Sequence, residues 1–283
     1  MSKDHATHDA GTPTPSSTAS PATPSPTTPP AATPKITLVT GANRGLGKEA
    51  ALHLAAAGQD LLLTYRSHAE EIEAVLAAVR ELGRTAVAFR LDTTEFGSFP
   101  GFAADVRAAL GEHWGRDTFD HLFNNAGSAA MAPVAETTEA QLDSMYEVHF
   151  KGPYLLTQTL LPLLADGGRV LNVSTGLTRF TQSDAAPYAS MKGAVEVFTR
   201  YLAKELGPRG IAVNAIAPGA TGTDFGGGYL RDSAQVREGL ASVIAMGHVG
   251  DPVDIGAAVA SLLADGTRWI TGQRIEASGG MLL

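Results

Sequence analysis

Residues 35–47 read Lys35-Ile36-Thr37-Leu38-Val39-Thr40-Gly41-Ala42-Asn43-Arg44-Gly45-Leu46-Gly47. A short apolar strand runs into three glycines, and a helix-forming segment over 48–57 follows. That order is the context a phosphate-binding turn requires. Glycine has no Cβ, so Gly41, Gly45 and Gly47 can take positive φ and let backbone N–H groups approach a diphosphate. The positive end of the next helix favours the same anion.

Outward from this stretch, strand and helix alternate. An apolar run over 60–65 reads as a buried parallel strand, followed by a helix over 69–82 that stops at Gly83. Strand 85–91, helix 99–114 and strand 119–123 continue the rhythm. The second half predicts one long helical region over 138–164, strand 169–173, helix 187–206, strand 211–215, helix 252–264 and a last strand over about 269–276. Alternation of this kind implies right-handed βαβ crossovers, hence an α/β, doubly wound parallel sheet of Rossmann type in a single domain over 35–283. The Gly-rich stretch at about 219–250 breaks the rhythm and is expected to form a lid over the binding crevice.

Composition excludes several function classes. Acidic side chains outnumber basic ones 29 to 21, for a net charge of -8, so neither nucleic acid nor an anionic membrane is the expected partner. There is no cysteine, which rules out disulfides, a thiolate nucleophile and zinc–thiolate sites. No apolar run reaches the ~20 residues of a membrane span and the N-terminus lacks the apolar core of a secretory signal, so a cytoplasmic location is expected. Residues 1–34 are nearly all Pro, Thr, Ser and Ala and are expected to be a disordered tail, in which His5 and His8 are solvated rather than metal-ligating. No metal site is expected anywhere.

Tyr188 and Lys192 lie four residues apart at the start of a predicted helix, so both project from one face. A free tyrosine has a pKa near 10, and a fixed cation beside it is needed for proton transfer near neutral pH. On its own the pair is a common surface arrangement; its place after the fifth strand gives it weight.

Four motifs now stand in order: Thr40 to Gly47, Asn124-Asn125-Ala126-Gly127 after the fourth strand, Tyr188-x-x-x-Lys192, and Pro218-Gly219 after the sixth. In order and spacing the chain resembles the short-chain dehydrogenases/reductases over about 35–283. The resemblance implies that Tyr188 is the proton donor and acceptor, and that Lys192 binds the nicotinamide ribose and lowers the Tyr188 pKa. It implies cofactor contacts from Gly41, Asn43, Arg44, Gly45, Leu46 and Gly47 in the glycine turn, and from Asn125, Ala126 and Gly127 beside it. Asp92 matches the position that contacts adenine, although an Asp at a strand end is also an ordinary helix cap. Pro218, Gly219 and Thr223 match the segment at the nicotinamide carboxamide.

The chain departs from the family pattern twice. Thirteen residues before Tyr188, where the family has a substrate-positioning Ser, stands Thr175; its hydroxyl can donate the same hydrogen bond, with the adjacent Ser174 as the alternative. His149 occupies a position usually held by Asn, which supports a water-linked proton relay to the lysine. A neutral imidazole can accept one hydrogen bond and donate another, and a titrating one would add pH dependence; a packed helix histidine is an equal reading.

Charge selects the cofactor. A carboxylate usually ends the second strand in NAD-binding sheets, whereas here the strand runs Thr64-Tyr65-Arg66-Ser67, with Arg44 as a second cation in the glycine turn. The expected cofactor is therefore NADP(H). The expected activity is hydride transfer between NADP(H) and a small-molecule ketone, aldehyde or alcohol, by a homo-oligomer, tetramer or dimer. Two alternatives remain at this point: a 3-oxoacyl thioester reductase, for which Arg179 and Arg231 would supply part of a basic docking patch, and a non-catalytic NADPH-binding sensor or scaffold.

Overall fold

The structure is a computed structural model that describes residues 33–283. The expected tail, with His5 and His8, lies outside the described residues except for positions 33 and 34. Residues 34–283 form one compact unit.

Seven strands make a single parallel sheet in the order β3-β2-β1-β4-β5-β6-β7. They are β1 (Ile36–Val39), β2 (Asp60–Tyr65), β3 (Ala86–Arg90), β4 (Phe119–Asn124), β5 (Leu164–Val173), β6 (Ala212–Pro218) and β7 (Arg274–Ala277). The chain works outward from β1 to β3, then returns to β4 on the other side. The order therefore reverses between β1 and β4, and the crevice at the carboxyl ends of those two strands is where such sheets bind ligands.

Helices cover both faces because β1, β2 and β4 are buried on both sides. On one face α3 (Phe99–Trp114), α5 (Gly152–Leu160) and α6 (Ala186–Leu206) close over Ile36, Leu38, Leu122 and Val170. On the other, α1 (Gly45–Ala56), α2 (Ala69–Glu81) and α9 (Pro252–Leu262) close over Val39, Leu63, Phe123 and Ile216. The remaining helices are α4 (Glu139–Tyr146) and two short ones, α7 (Tyr229–Asp232) and α8 (Ala234–Ala241). Gly256 lets α9 approach α1 closely: a Cβ there would stand 2.7 Å from the carbonyl of Glu49.

Four expectations need correction. Helix α1 begins at Gly45, inside the glycine turn, so its free N–H groups belong to the turn itself. The long helix expected over 138–164 is broken: α4 opens on a capping box between Thr138 and Gln141, a π-helical turn spans Glu147–Lys151, and α5 follows. Pro153 accounts for the break, because it has no N–H to give to the carbonyl four residues back and its ring crowds that carbonyl, which belongs to His149. Strand β5 starts at Leu164, five residues early, and β7 at Arg274, because a turn closed at Gly272 (φ 70°) keeps residues 269–272 out of the strand. Finally, 219–250 is not irregular throughout, since it contains α7 and α8.

Among the described residues, no helix is long and apolar enough to cross a membrane.

Candidate active site

The glycine turn is held in shape by its neighbours. Gly41 and Gly45 have φ of 65° and 54°, the left-handed region that other residues avoid. A side chain on Gly47 would collide with the Gly41 carbonyl and come within 2.5 Å of the Asn125 amide. Asn125 Nδ2 donates to the carbonyls of Thr40 (2.8 Å) and Gly41 (3.0 Å). The Thr40 hydroxyl accepts from the backbone N–H groups of Asn125 (2.9 Å) and Ala126 (3.0 Å). Asn125 and Ala126 thus brace the turn, with the Asn125 amide spent on loop carbonyls. The close-fitted glycines, the open N-terminus of α1 and the exposed Arg44 at its N-cap suit the diphosphate of a dinucleotide.

Arg66 follows β2 and is exposed. One acid nearby escaped notice in the sequence: Glu71, in the first turn of α2, accepts from Asn43 Nδ2 at 2.6 Å. Asp92 receives both the N–H and the hydroxyl of Thr94 on one oxygen, at 2.9 and 2.8 Å, so it acts locally as a turn cap. Gly219, just past Pro218 at the end of β6, abuts Ser278, and its N–H reaches the Ala277 carbonyl at 3.0 Å. Thr223 is buried and stands over the glycine turn; a Cβ on Gly45 would lie 3.9 Å from its own. Its hydroxyl accepts from the Phe225 N–H at 3.2 Å.

Tyr188 and Lys192 sit in the first turns of α6, where Pro187 opens the helix. Both are buried. Burial pushes the Tyr188 phenol up to about 12, the Thr175 hydroxyl opposing part of the rise. Burial likewise pushes the Lys192 ammonium down to about 7. Each shift disfavours the charged form in a medium of low polarity. Lys192 Nζ donates to the Val173 carbonyl at 2.7 Å and stands 5.7 Å from the centre of the Tyr188 ring. The lysine is therefore tied to the end of β5 rather than to the phenol, and the lowering of Tyr188 expected from it is absent from this arrangement.

Thr175 and Ser174, both buried, face different partners. Ser174 Oγ donates to Glu196 on α6, whereas the Thr175 hydroxyl accepts only a long bond from the Leu177 N–H (3.3 Å) and acts on Tyr188. The residue beside the phenol is Thr175; Ser174 is committed elsewhere.

His149, in the π-helical turn, is fully buried. Its Nε2–H donates to the Ser128 carbonyl at 2.7 Å, its Nδ1 has no partner among the described residues, and its ring stands against Gly127. Burial, with the positive charge of Lys192 adding to it, lowers His149 to about 3, so the imidazole is neutral and does not titrate near physiological pH.

A phenol, an ammonium and a hydroxyl gathered beside a glycine turn suit proton transfer to a group held next to a dinucleotide. A family model described as enoyl-(acyl carrier protein) reductase matches residues 41–282. The chain belongs to the short-chain dehydrogenase/reductase family. Among its relatives, an uncharacterized oxidoreductase of Methylorubrum extorquens is 34% identical, covering 87% of this chain and 97% of its own. The hydroxynaphthalene reductase-like protein Arp2 of Metarhizium brunneum is also 34% identical, covering 87% and 94%. Two solved reductases share the fold at 36% identity. One is the promiscuous reductase LugOII, which catalyses keto-reduction at C1 during lugdunomycin biosynthesis (TM-score 0.83, covering 88% of this chain and 98% of its own). The other is the angucycline C-6 ketoreductase LanV, solved with bound NADP (TM-score 0.82, covering 88% and 95%).

Proposed function

We propose that this short-chain reductase, an NADP(H)-dependent carbonyl reductase, acts on a ketone carried by a fused-ring aromatic substrate, with Tyr188, Thr175 and Lys192 as its working groups. The observation that carries the reading is the buried Tyr188–Lys192 pair beside a glycine turn that only a Cβ-free backbone can form. The ring class is suggested by relatives named for hydroxynaphthalene and angucycline ketones, and by the rings around the phenol: His149 at 5.0 Å and Phe225 at 5.7 Å.

NADPH, when bound, supplies the hydride. Tyr188, held protonated by its raised pKa, gives its proton to the carbonyl oxygen as that oxygen becomes an alkoxide. The Thr175 hydroxyl donates a hydrogen bond to the same oxygen and fixes its distance from Tyr188. Lys192, once protonated, stabilises the tyrosinate left behind. The backbone N–H groups at the start of α1 hold the diphosphate, Arg44 and Arg66 the 2′-phosphate, and Thr223 the carboxamide. The segment 219–250 closes over the crevice as a lid.

A thioester on an acidic carrier is less well served. The two arginines expected to contribute to its docking patch are already paired, Arg179 with Glu276 and Arg231 with Asp224 and Asp232. The exposed Tyr154, Val197 and Tyr201 on α5 and α6 suit a second copy of the chain, so a homo-oligomer in the cytoplasm completes the reading.

The test is NADPH oxidation in the presence of a bicyclic aromatic ketone such as a tetralone, against an acyl thioester and a simple aliphatic ketone. Turnover confined to the thioester, or absent throughout, overturns it.

A further inference from the structure

A second polar cluster, distinct from the Tyr188 pair, gathers at the end of β5. Its centre is Arg274, the first residue of β7. Its Nε–H is shared between Glu196 Oε1 (2.8 Å) and the Thr178 hydroxyl (3.1 Å). Nη1 donates to Glu276 Oε2 at 3.0 Å, and Nη2 donates to the backbone carbonyl of Thr175 at 2.9 Å. Glu196 Oε1 also takes the hydroxyls of Ser174 and Thr178. One guanidinium thus links the two carboxylates to the residue beside the phenol.

The cluster extends to the C-terminus. Arg179 holds Glu276 with a two-pronged contact, Nε to Oε2 at 2.8 Å and Nη2 to Oε1 at 2.7 Å. Its remaining donors take the carbonyls of Leu282 (2.7 Å) and Met281. That C-terminal segment pairs in turn with the base of 219–250: the Met246 N–H meets the Gly279 carbonyl at 3.0 Å, and the Leu282 N–H meets the Val243 carbonyl at 2.8 Å. A chain of hydrogen bonds, charge-assisted from Arg179 onward, therefore runs from the base of the lid through Arg179, Glu276 and Arg274 to Thr175.

We propose that Arg274 is a positioning residue for carbonyl reduction, setting the Thr175 hydroxyl against Tyr188 by fixing the peptide plane that follows Thr175. The inference rests on the function proposed above. Thr175 is extended (φ -158°, ψ 156°) and the chain turns into a 3-10 turn over Gly176–Thr178 directly after it. Its carbonyl sits at a strand end, where a buried acceptor needs a donor from outside the sheet. Arg274 Nη2 supplies it at 2.9 Å, the single proton of the Thr178 hydroxyl being spent on Glu196. Fixing that carbonyl fixes ψ of Thr175, and with it the direction in which the side chain leaves the strand. The planar fork of Arg reaches four acceptors at once; the single ammonium of Lys, on a flexible stem, cannot. Glu276 stays ionised across the working range, its carboxyl held down to about 2, chiefly by its bond from Arg179.

The experiment is a double-mutant cycle on the full chain. kcat and KM for a bicyclic ketone, and Kd for NADPH by fluorescence, are measured on wild type, R274K, T175A and R274K/T175A. R274K is expected to lower kcat about tenfold and leave NADPH Kd within about twofold, since a small misplacement of a reacting group costs rate rather than cofactor binding. In the T175A background the same change should cost nothing further, because the group it positions is gone. A merely structural role predicts losses that multiply in the double variant, and that result overturns the inference, as does full kcat in R274K. If R274K does not fold, E276Q, which removes one of the partners that orient Arg274 while keeping its shape, takes its place in the cycle with the same expectation. Multiplying losses in a wild type that turns over overturn this inference alone; a wild type that reduces no ketone overturns the reductase reading and this inference together.

Discussion

The imidazole of His149 stands edge-on to the Tyr188 ring, centroids 5.0 Å apart and planes at 85°. This geometry favours the positive edge of one ring against the face of the other and sets the tilt of the phenol. With Nε2–H spent on Ser128 and Nδ1 unpaired among the described residues, the histidine holds the Tyr188 ring and the 128 backbone together.

His149 should therefore act by position, not by titration. H149A is expected to lower kcat about tenfold, and neither wild type nor variant should show an inflection near pH 6.5 assignable to this residue. Folding gives the opposite sign: the folded pKa of about 3 lies below the ordinary 6.5, so the unfolded chain binds the proton first as pH falls. Stability contributed by the neutral ring is complete above about 6.5 and is lost between there and about 3. Tm measured from pH 7 to 4 should fall less steeply in H149N than in wild type.

Lys192 titrates where it matters. With its pKa at about 7 the ammonium loses its proton just above neutrality, and a ligand that prefers the charged form must recruit it. NADPH Kd should rise with pH above about 7, approaching tenfold per unit, and this slope should vanish in K192M. Fluorescence titration from pH 6 to 9 measures both.

The cofactor phosphate should be read by Arg44 and Arg66 and opposed by Glu71, whose carboxylate is tied to Asn43 at 2.6 Å. Arg44→Ala with Arg66→Ala is expected to weaken NADPH about a hundredfold while NADH changes little, two charge-assisted contacts being lost. E71Q keeps the shape, removes the repulsion and should tighten NADPH a few-fold. Equal losses for both cofactors would sink the assignment.

Gly47 is the least replaceable residue of the turn. In G47A the new methyl meets a backbone carbonyl rather than a flexible side chain, so β1 and α1 must separate. A loss of about 2–3 kcal/mol in stability is expected, with NADPH binding reduced in parallel. Urea unfolding together with cofactor titration checks the pair of effects.

The sheet is legible in the sequence because each of its elements is a local pattern: an apolar run of strand length, a glycine, then a helix that hides one face. Helix 99–114 falls where its period places it. What escapes is set by single bonds or by distance along the chain. The π-helical turn that carries His149 hangs on one missing N–H, at Pro153, inside a stretch whose apolar period is otherwise helical. Glu71 lies 28 residues from Asn43 and Arg274 lies 99 from Thr175, and no local spacing announces a contact between groups so far apart. Tyr188 and Lys192 are readable because four residues of helix put them on one face; the depressed lysine is not, because its cause is burial by segments from elsewhere in the chain.

Ser174 and Thr175 are adjacent hydroxyls, either of which suits the sequence pattern, and their roles separate on substitution. Ser174 donates into the carboxylate of Glu196, so S174A leaves that half-buried acceptor with one donor fewer; the cost is expected in stability, about 1–2 kcal/mol. Thr175 has no strong partner of its own and faces Tyr188, so T175A should keep Tm within about 2 °C while kcat falls about a hundredfold, as expected for loss of a donor that meets charge developing on the substrate oxygen. T175S restores the hydroxyl without the methyl and should recover most of the rate. Thermal melts and steady-state kinetics on the three variants decide the matter. If S174A loses the rate and T175A keeps it, the two hydroxyls exchange roles, and the end of β5 must rotate by one residue when substrate binds.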